Sequence, residues 1–134
     1  MTGLCLGIAF TAVQAWVPAT SVTLSWTHSV ERIRWEEDYR IVGARLAPEG
    51  ARVRGSGAGM EPPPDGAIYS DGWWHYQPAL GPLEKLTLTR SAFAGDYDLC
   101  WFEGCKTMTE LLGPTPQSAS TIDLFPCLDG QGHR

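Results

Sequence analysis

Turn-forming residues leave this chain little room for a long helix. Fifteen glycines and ten prolines are spread through its 134 residues, and turn chemistry recurs along the chain. Val17-Pro18, Pro48-Glu49-Gly50, Asp71-Gly72, Gly81-Pro82 and Glu103-Gly104 are such punctuation marks. The segments between them are short and read as strands: 4–10, 21–30, 35–42, 51–55, 67–77, 85–90 and 97–101. In "KLTLTR" Leu86 and Leu88 fall on one face and Thr87 and Thr89 on the other, which is the period of a strand half in a core. No stretch sustains a 3.6-residue apolar period. Residues 107–112 allow one helical turn, stopped by Gly113-Pro114. The expectation is an all-β chain, a small antiparallel β-sandwich or barrel of about seven to nine short strands with little helix.

The length suits one domain over residues 1–134. From about residue 113 the chain turns polar, so 113–134 is expected to be irregular, with one short strand at "TIDLFPC" and a frayed end. Apolar residues make up 43% and charged residues 19%, the balance of a globular domain rather than a disordered one. The net charge of -5 provides no basic footprint for nucleic acid or anionic lipid. The opening "MTGLCLGIAFTAVQAWVPA" has no basic leader residues, and Thr11 and Gln14 interrupt an apolar run too short to span a bilayer. It reads as strand, which places the sequence as given in the cytoplasm. A periplasmic or membrane-associated location is the alternative, if a start site lies upstream.

The densest chemistry lies in "WTHSVERIRWEED", residues 26–38. Strand parity puts Val22, Leu24, Trp26 and His28 on one face, and Trp35, Glu37, Tyr39 and Ile41 on the matching face of the next strand. A tight turn at Arg32-Ile33 would pair Val30 with Trp35, His28 with Glu37, Trp26 with Tyr39 and Leu24 with Ile41. It would also set Ser29 against Glu36, Thr27 against Asp38 and Ser25 against Arg40 on the wet side. Most of the charge is then a solvated face, with His28 and Glu37 as exceptions on the apolar one. Their two readings are a hydrogen-bonded structural couple, or a ligand or metal site completed by Glu31 from the turn.

Other motifs carry less. "GSGAGMEPPPDG" follows a strand as a phosphate loop would, but Pro62-Pro63-Pro64 forbids the helix start that such a loop needs. Gly57 and Gly59 can still let backbone approach a ligand closely. In "DGWWHY", Trp73 and His75 point one way and Trp74 and Tyr76 the other. Of the four cysteines, Cys100 and Cys105 flank a turn at residues 102–104 and lie within disulfide reach across one hairpin. A zinc site from these two with Cys127 and His133 lacks the short C-x2-C spacing. Ser29 and His28 are neighbours on opposite faces, so they form no nucleophile–base couple.

Taken together, "TLSWTHSVERIRWEEDYRI", "GSGAGMEPPPDG", "DGWW" and "LTLTRS…DYDLCWFEGC" resemble the DUF1850 family over roughly residues 4–112. The likeness is carried by the His-Ser-Val-Glu motif (His28 to Glu31), the acidic pair Glu36 and Glu37, and the Gly-Ala-Gly loop (Gly57 to Gly59). Members of that family are typically bacterial and encoded beside TAXI-type TRAP transporters, secondary carriers of organic acids served by a periplasmic binding protein. The resemblance implies a non-enzymatic accessory or interaction protein of organic-acid uptake, with a TRAP transporter component as partner and no cofactor or catalytic residue to carry over. The alternative is a module for an unknown small-molecule ligand or a metal, with His28, Glu31, Glu37, Gly57 and Gly59 as candidate binding residues.

Overall fold

Every strand pairing among the described residues is antiparallel, and the strands divide between two sheets. The computed structural model describes residues 2–8, 12–27, 33–54, 67–68, 73–78, 81–91, 95–115 and 118–128. The strands are β1 (Thr2–Ile8), β2 (Ala12–Val17), β3 (Ser21–Thr27), β4 (Arg34–Val42), β5 (Arg45–Arg54), β6 (Ala67–Ile68), β7 (Trp73–Tyr76), β8 (Leu86–Arg90), β9 (Asp98–Trp101), β10 (Gly104–Thr107) and β11 (Ser120–Leu128). A four-stranded sheet runs β2-β1-β11-β8, and a seven-stranded sheet runs β10-β9-β3-β4-β5-β7-β6. The fold is an all-β sandwich rather than a closed barrel. It has eleven described strands, more than expected. Residues 12–17 form a strand of their own, and within the expected strand 67–77 two strands, β6 and β7, pair antiparallel with each other.

Alternation places the core between the sheets. Leu4 and Leu6 of β1, Ile122 and Leu124 of β11 and Leu88 of β8 meet Val22 and Leu24 of β3, Tyr39 of β4 and Leu99 of β9. The C-terminal segment, expected to be largely irregular, supplies a nine-residue strand that lies between β1 and β8. Its alternation of apolar side chains on both faces explains this: Ile122 and Leu124 join the main core, while Phe125 and Cys127 join Cys5 in a second cluster. That cluster is covered by Val13 and Trp16 of β2. Gly3 is what lets Trp16 lie flat there. A β-carbon on it would sit 2.4 Å from the Val17 carbonyl oxygen and 2.8 Å from the Trp16 ring. Gly3→Ala is therefore expected to cost about 1–3 kcal/mol by overpacking, measured as a lowered urea midpoint.

Pro48-Glu49-Gly50 does not turn the chain. It forms a bulge within β5, between the pairs Asp38–Gly50 and Tyr39–Pro48. The reason is parity. Val53 and Ala51 are odd-numbered and Leu46 is even, yet all three are buried; one extra residue keeps them on the same face. The reversal falls at Gly43-Ala44 instead, where Gly43 takes a φ of 62°, open to glycine at little cost.

The single helix among the described residues, α1 (Met108–Leu112), is the helical turn expected there. Thr107 caps it: its hydroxyl accepts from the Glu110 amide, and the Glu110 carboxylate accepts from the Thr107 amide. Met108 is fully buried and anchors the turn. No helix among the described residues is long and apolar enough to cross a membrane.

Candidate functional site

The β3–β4 pairing decides where the charged stretch puts its side chains, and it runs four residues away from the expected register. Trp26 pairs with Trp35, Ser25 with Glu36, Leu24 with Glu37, Thr23 with Asp38 and Val22 with Tyr39. Glu37 thus lies beside Leu24 on β3 and Ala51 on β5, not opposite His28, and Tyr39 lies beside Val22 rather than Trp26. The pairs expected for Val30 with Trp35, Leu24 with Ile41, Thr27 with Asp38, Ser25 with Arg40 and Ser29 with Glu36 are replaced in the same way. The expected turn residue Ile33 is instead buried, at 7% exposure. His28 and Glu31, and likewise Gly57 and Gly59, lie outside the described residues. The shift is even, so each residue keeps its expected face. What changes is its neighbour.

The outward face of the large sheet is a hydrogen-bonded charge lattice. The Thr23 hydroxyl donates to Asp38 at 2.6 Å, and Ser25 donates to Glu36 at 3.3 Å. Arg52 on β5 bridges both acids, with Nε on Glu36 at 2.6 Å and NH1 on Asp38 at 2.9 Å. Arg34 pairs with Asp98 of β9, and Arg54 lies 5.6 Å from the centre of the Trp73 ring. Each cation here already has a partner, so this face reads as structural.

Cys100 and Cys105 are paired across the β9–β10 hairpin and joined by a disulfide, with Cα atoms 4.0 Å apart. A second disulfide joins Cys5 to Cys127. No cysteine is left free, so the alternative of a zinc site from these thiols has no ligands.

The inward face is different. Glu37 is the one acidic side chain of β4 that parity turns towards the core side, and it remains half-buried. Its row across the sheet reads Leu99, Leu24, Glu37, Ala51, Tyr76. The next row reads Trp26, Trp35, Val53, Trp74. Trp26 and Trp35 stack with ring centres 6.2 Å apart and planes within 8°, and Tyr97 tilts against Trp26 at 5.9 Å. The Tyr39 hydroxyl donates to Glu37 Oε1 at 2.7 Å. Burial, and then the Glu37 charge, raises the phenols of Tyr39, Tyr76 and Tyr97 above the ordinary tyrosine value of 10.0. All three stay neutral donors at physiological pH.

Sequence reasoning placed Glu37 on the apolar face with Trp26, Trp35 and Tyr39 but missed Tyr76 and Tyr97. The signal was there in part: Tyr97 shares parity with Leu99, and Tyr76 with Trp74. Their convergence on Glu37 needed the strand order. The chain matches the model of a domain of unknown function, DUF1850, over residues 22–108.

The chain belongs to the DUF1850 family.

The matched span of this DUF1850 chain takes in β3 to β10 and so contains Glu37 and its aromatic neighbours. No curated protein and no solved structure gives a significant match.

Two outcomes follow from the Glu37–Tyr39 contact. Glu37→Gln keeps an acceptor for the Tyr39 hydroxyl and should lower stability little. Glu37→Leu strands that hydroxyl, on a residue only 5% exposed, and should cost about 1–3 kcal/mol in denaturant unfolding. The second concerns pH. Below pH 10.0 the phenols are neutral in both folded and unfolded chains, so they leave stability unchanged. Above it the unfolded chain releases protons that the folded chain holds, so stability should fall with rising pH. Tyr39→Phe should flatten that alkaline decline, read from urea midpoints between pH 8 and about 11.

Proposed function

We propose that this DUF1850 protein is a non-enzymatic binding module that takes a small ligand on the aromatic face around Glu37. One observation carries the reading. A carboxylate sits half-buried beside part-exposed tryptophan and tyrosine rings on the inward face, while the neighbouring acids on the outward face, Glu36 and Asp38, are both tied to Arg52. A purely structural strand has little use for a charge there, since the Tyr39 hydroxyl needs only an acceptor and a neutral amide would supply one at lower desolvation cost. Polar groups set among apolar and aromatic side chains are the usual make-up of a ligand site. The test is thermal unfolding of the full chain with organic amines, dicarboxylates and divalent metals in turn. Saturating ligand at about 100 times its Kd adds about 2.7 kcal/mol of stability, a shift of several degrees. A melting temperature unmoved by all three classes would end the reading.

A second reading makes the protein an accessory of TRAP-type (TAXI) organic-acid uptake, bound to a transporter component. It draws on family membership and on the tip of the β9–β10 hairpin, where Phe102 is 80% exposed beside a disulfide. A large apolar side chain held out on a stapled turn is a natural anchor for a protein partner. Two disulfides suit an oxidising compartment, which favours the periplasmic or membrane-associated location. Co-purification with the transporter from native membranes, lost in Phe102→Asp, is the expected result. Equal recovery with the variant would remove Phe102 from the contact.

A further inference from the structure

We infer that the ligand of the Glu37 face is an organic cation carrying an alkylated ammonium group. The inference rests on the ligand-binding reading and assigns the class of ligand.

The argument starts from charge placement. The arginines flanking Glu37 on β4 and β5 are Arg34, Arg40, Arg52 and Arg54, all even-numbered, and the pairing sends them to the face opposite Glu37. They are engaged there with Asp98, Glu49, Glu36 with Asp38, and the Trp73 ring respectively. Among the described residues no cation pairs with Glu37. Its one hydrogen-bond donor there is the Tyr39 hydroxyl, a neutral group that leaves the negative charge in place.

The surroundings sharpen the selection. Trp26 and Trp35 stack on one another and Tyr97 tilts against Trp26, so the groups beside Glu37 bring no positive charge to offset the carboxylate, and a ring face left open favours a cation over an anion. These rings are part-exposed, so a bound group can touch them. An anion would meet repulsion from both the acid and the rings. A hard divalent ion wants several oxygen or nitrogen ligands, and no group of three His, Cys, Asp or Glu side chains gathers among the described residues. An alkylated ammonium needs neither. Its methyl groups are weakly hydrated and pack on rings, and its diffuse charge is balanced by one carboxylate.

The test uses the full oxidised chain and follows tryptophan fluorescence and titration heat at constant ionic strength. The probes are tetramethylammonium chloride and choline chloride, with 3,3-dimethylbutan-1-ol as the uncharged choline isostere and sodium succinate as the anion. Saturable binding of both cations is expected, at least tenfold tighter than the isostere, with no response to succinate. Glu37→Gln, which keeps the Tyr39 hydrogen bond, should weaken the cations at least tenfold and leave the isostere unchanged. Trp35→Leu should weaken cations and isostere alike, while Phe102→Ser should bind as the parent does. If the isostere binds as tightly as choline, or if Glu37→Gln binds choline as the parent does, the cation assignment is overturned and the binding module stands. Succinate binding that is lost on changing Trp35 would also overturn it. No response to either cation overturns the assignment, and the thermal panel above then decides separately whether the module binds anything.

Discussion

Replacing Cys5 and Cys127 together by alanine is expected to lower stability by about 4–5 kcal/mol, the largest effect of any change considered. The bond joins positions 122 residues apart, so in the chain-entropy picture it removes loop freedom from nearly the whole unfolded chain. The Cys100–Cys105 bond spans a separation of five, and the same reasoning gives it only about 2 kcal/mol. The two also differ in setting. Cys5 and Cys127 are buried under Trp16 with Phe125, whereas Cys105 is exposed at the hairpin. Urea unfolding of the two double variants without reductant should rank them in that order. Mild reductant should open the exposed bond first, seen by thiol labelling of the folded protein. A Cys5/Cys127 variant as stable as the parent would show that β1 and β11 are held by their hydrogen bonds and packing alone.

Leu99→Ala should cost about 2–5 kcal/mol, the second largest effect. Leu99 has no exposed surface. It pairs with Leu24 across the β3–β9 ladder and belongs to the cluster that joins the two sheets. Truncation removes apolar contacts and leaves a void that rigid strands on both sides cannot close. Thr89→Ala, on the exposed side of β8, should stay within about 0.5 kcal/mol and serves as the control. Equilibrium denaturation of both variants checks the contrast. A small cost at Leu99 would mean that the sheets repack more freely than their interlocked core implies.

Residues 26–38 show why faces were readable and neighbours were not. Side-chain direction along a strand alternates by local stereochemistry, so Glu37 belonged to the apolar face whichever partner it took. Register is a relation between two strands. A slip of any even number of residues preserves every face, so alternation cannot tell Leu24 from His28 as the residue beside Glu37. The observed register unites the Trp26–Trp35 stack with hydrogen bonds from Thr23 and Ser25 to the acids of β4. Those contacts reward one slip over the others only once both strands are in place. The bulge at Glu49 follows the same logic: Pro48-Glu49-Gly50 has turn chemistry, and a core that needed both Leu46 and Val53 spent it on a change of parity.

Local chemistry by itself determined the strand-rich class, the helical turn at residues 107–112, the hairpin that brings Cys100 to Cys105, and the division of charged from apolar faces. Each depends on residues close in sequence, where turn propensity, capping and alternation act without help from the rest of the chain. Tertiary structure decided the order of the strands, the pairing of Cys5 with Cys127, the central place of β11, and the gathering of Tyr39, Tyr76, Tyr97, Trp26 and Trp35 around Glu37. These join residues from strands far apart in sequence and from both ends of the chain. Contacts at such separations are chosen by which whole arrangement buries the most apolar surface with its polar groups paired, a comparison no local segment contains.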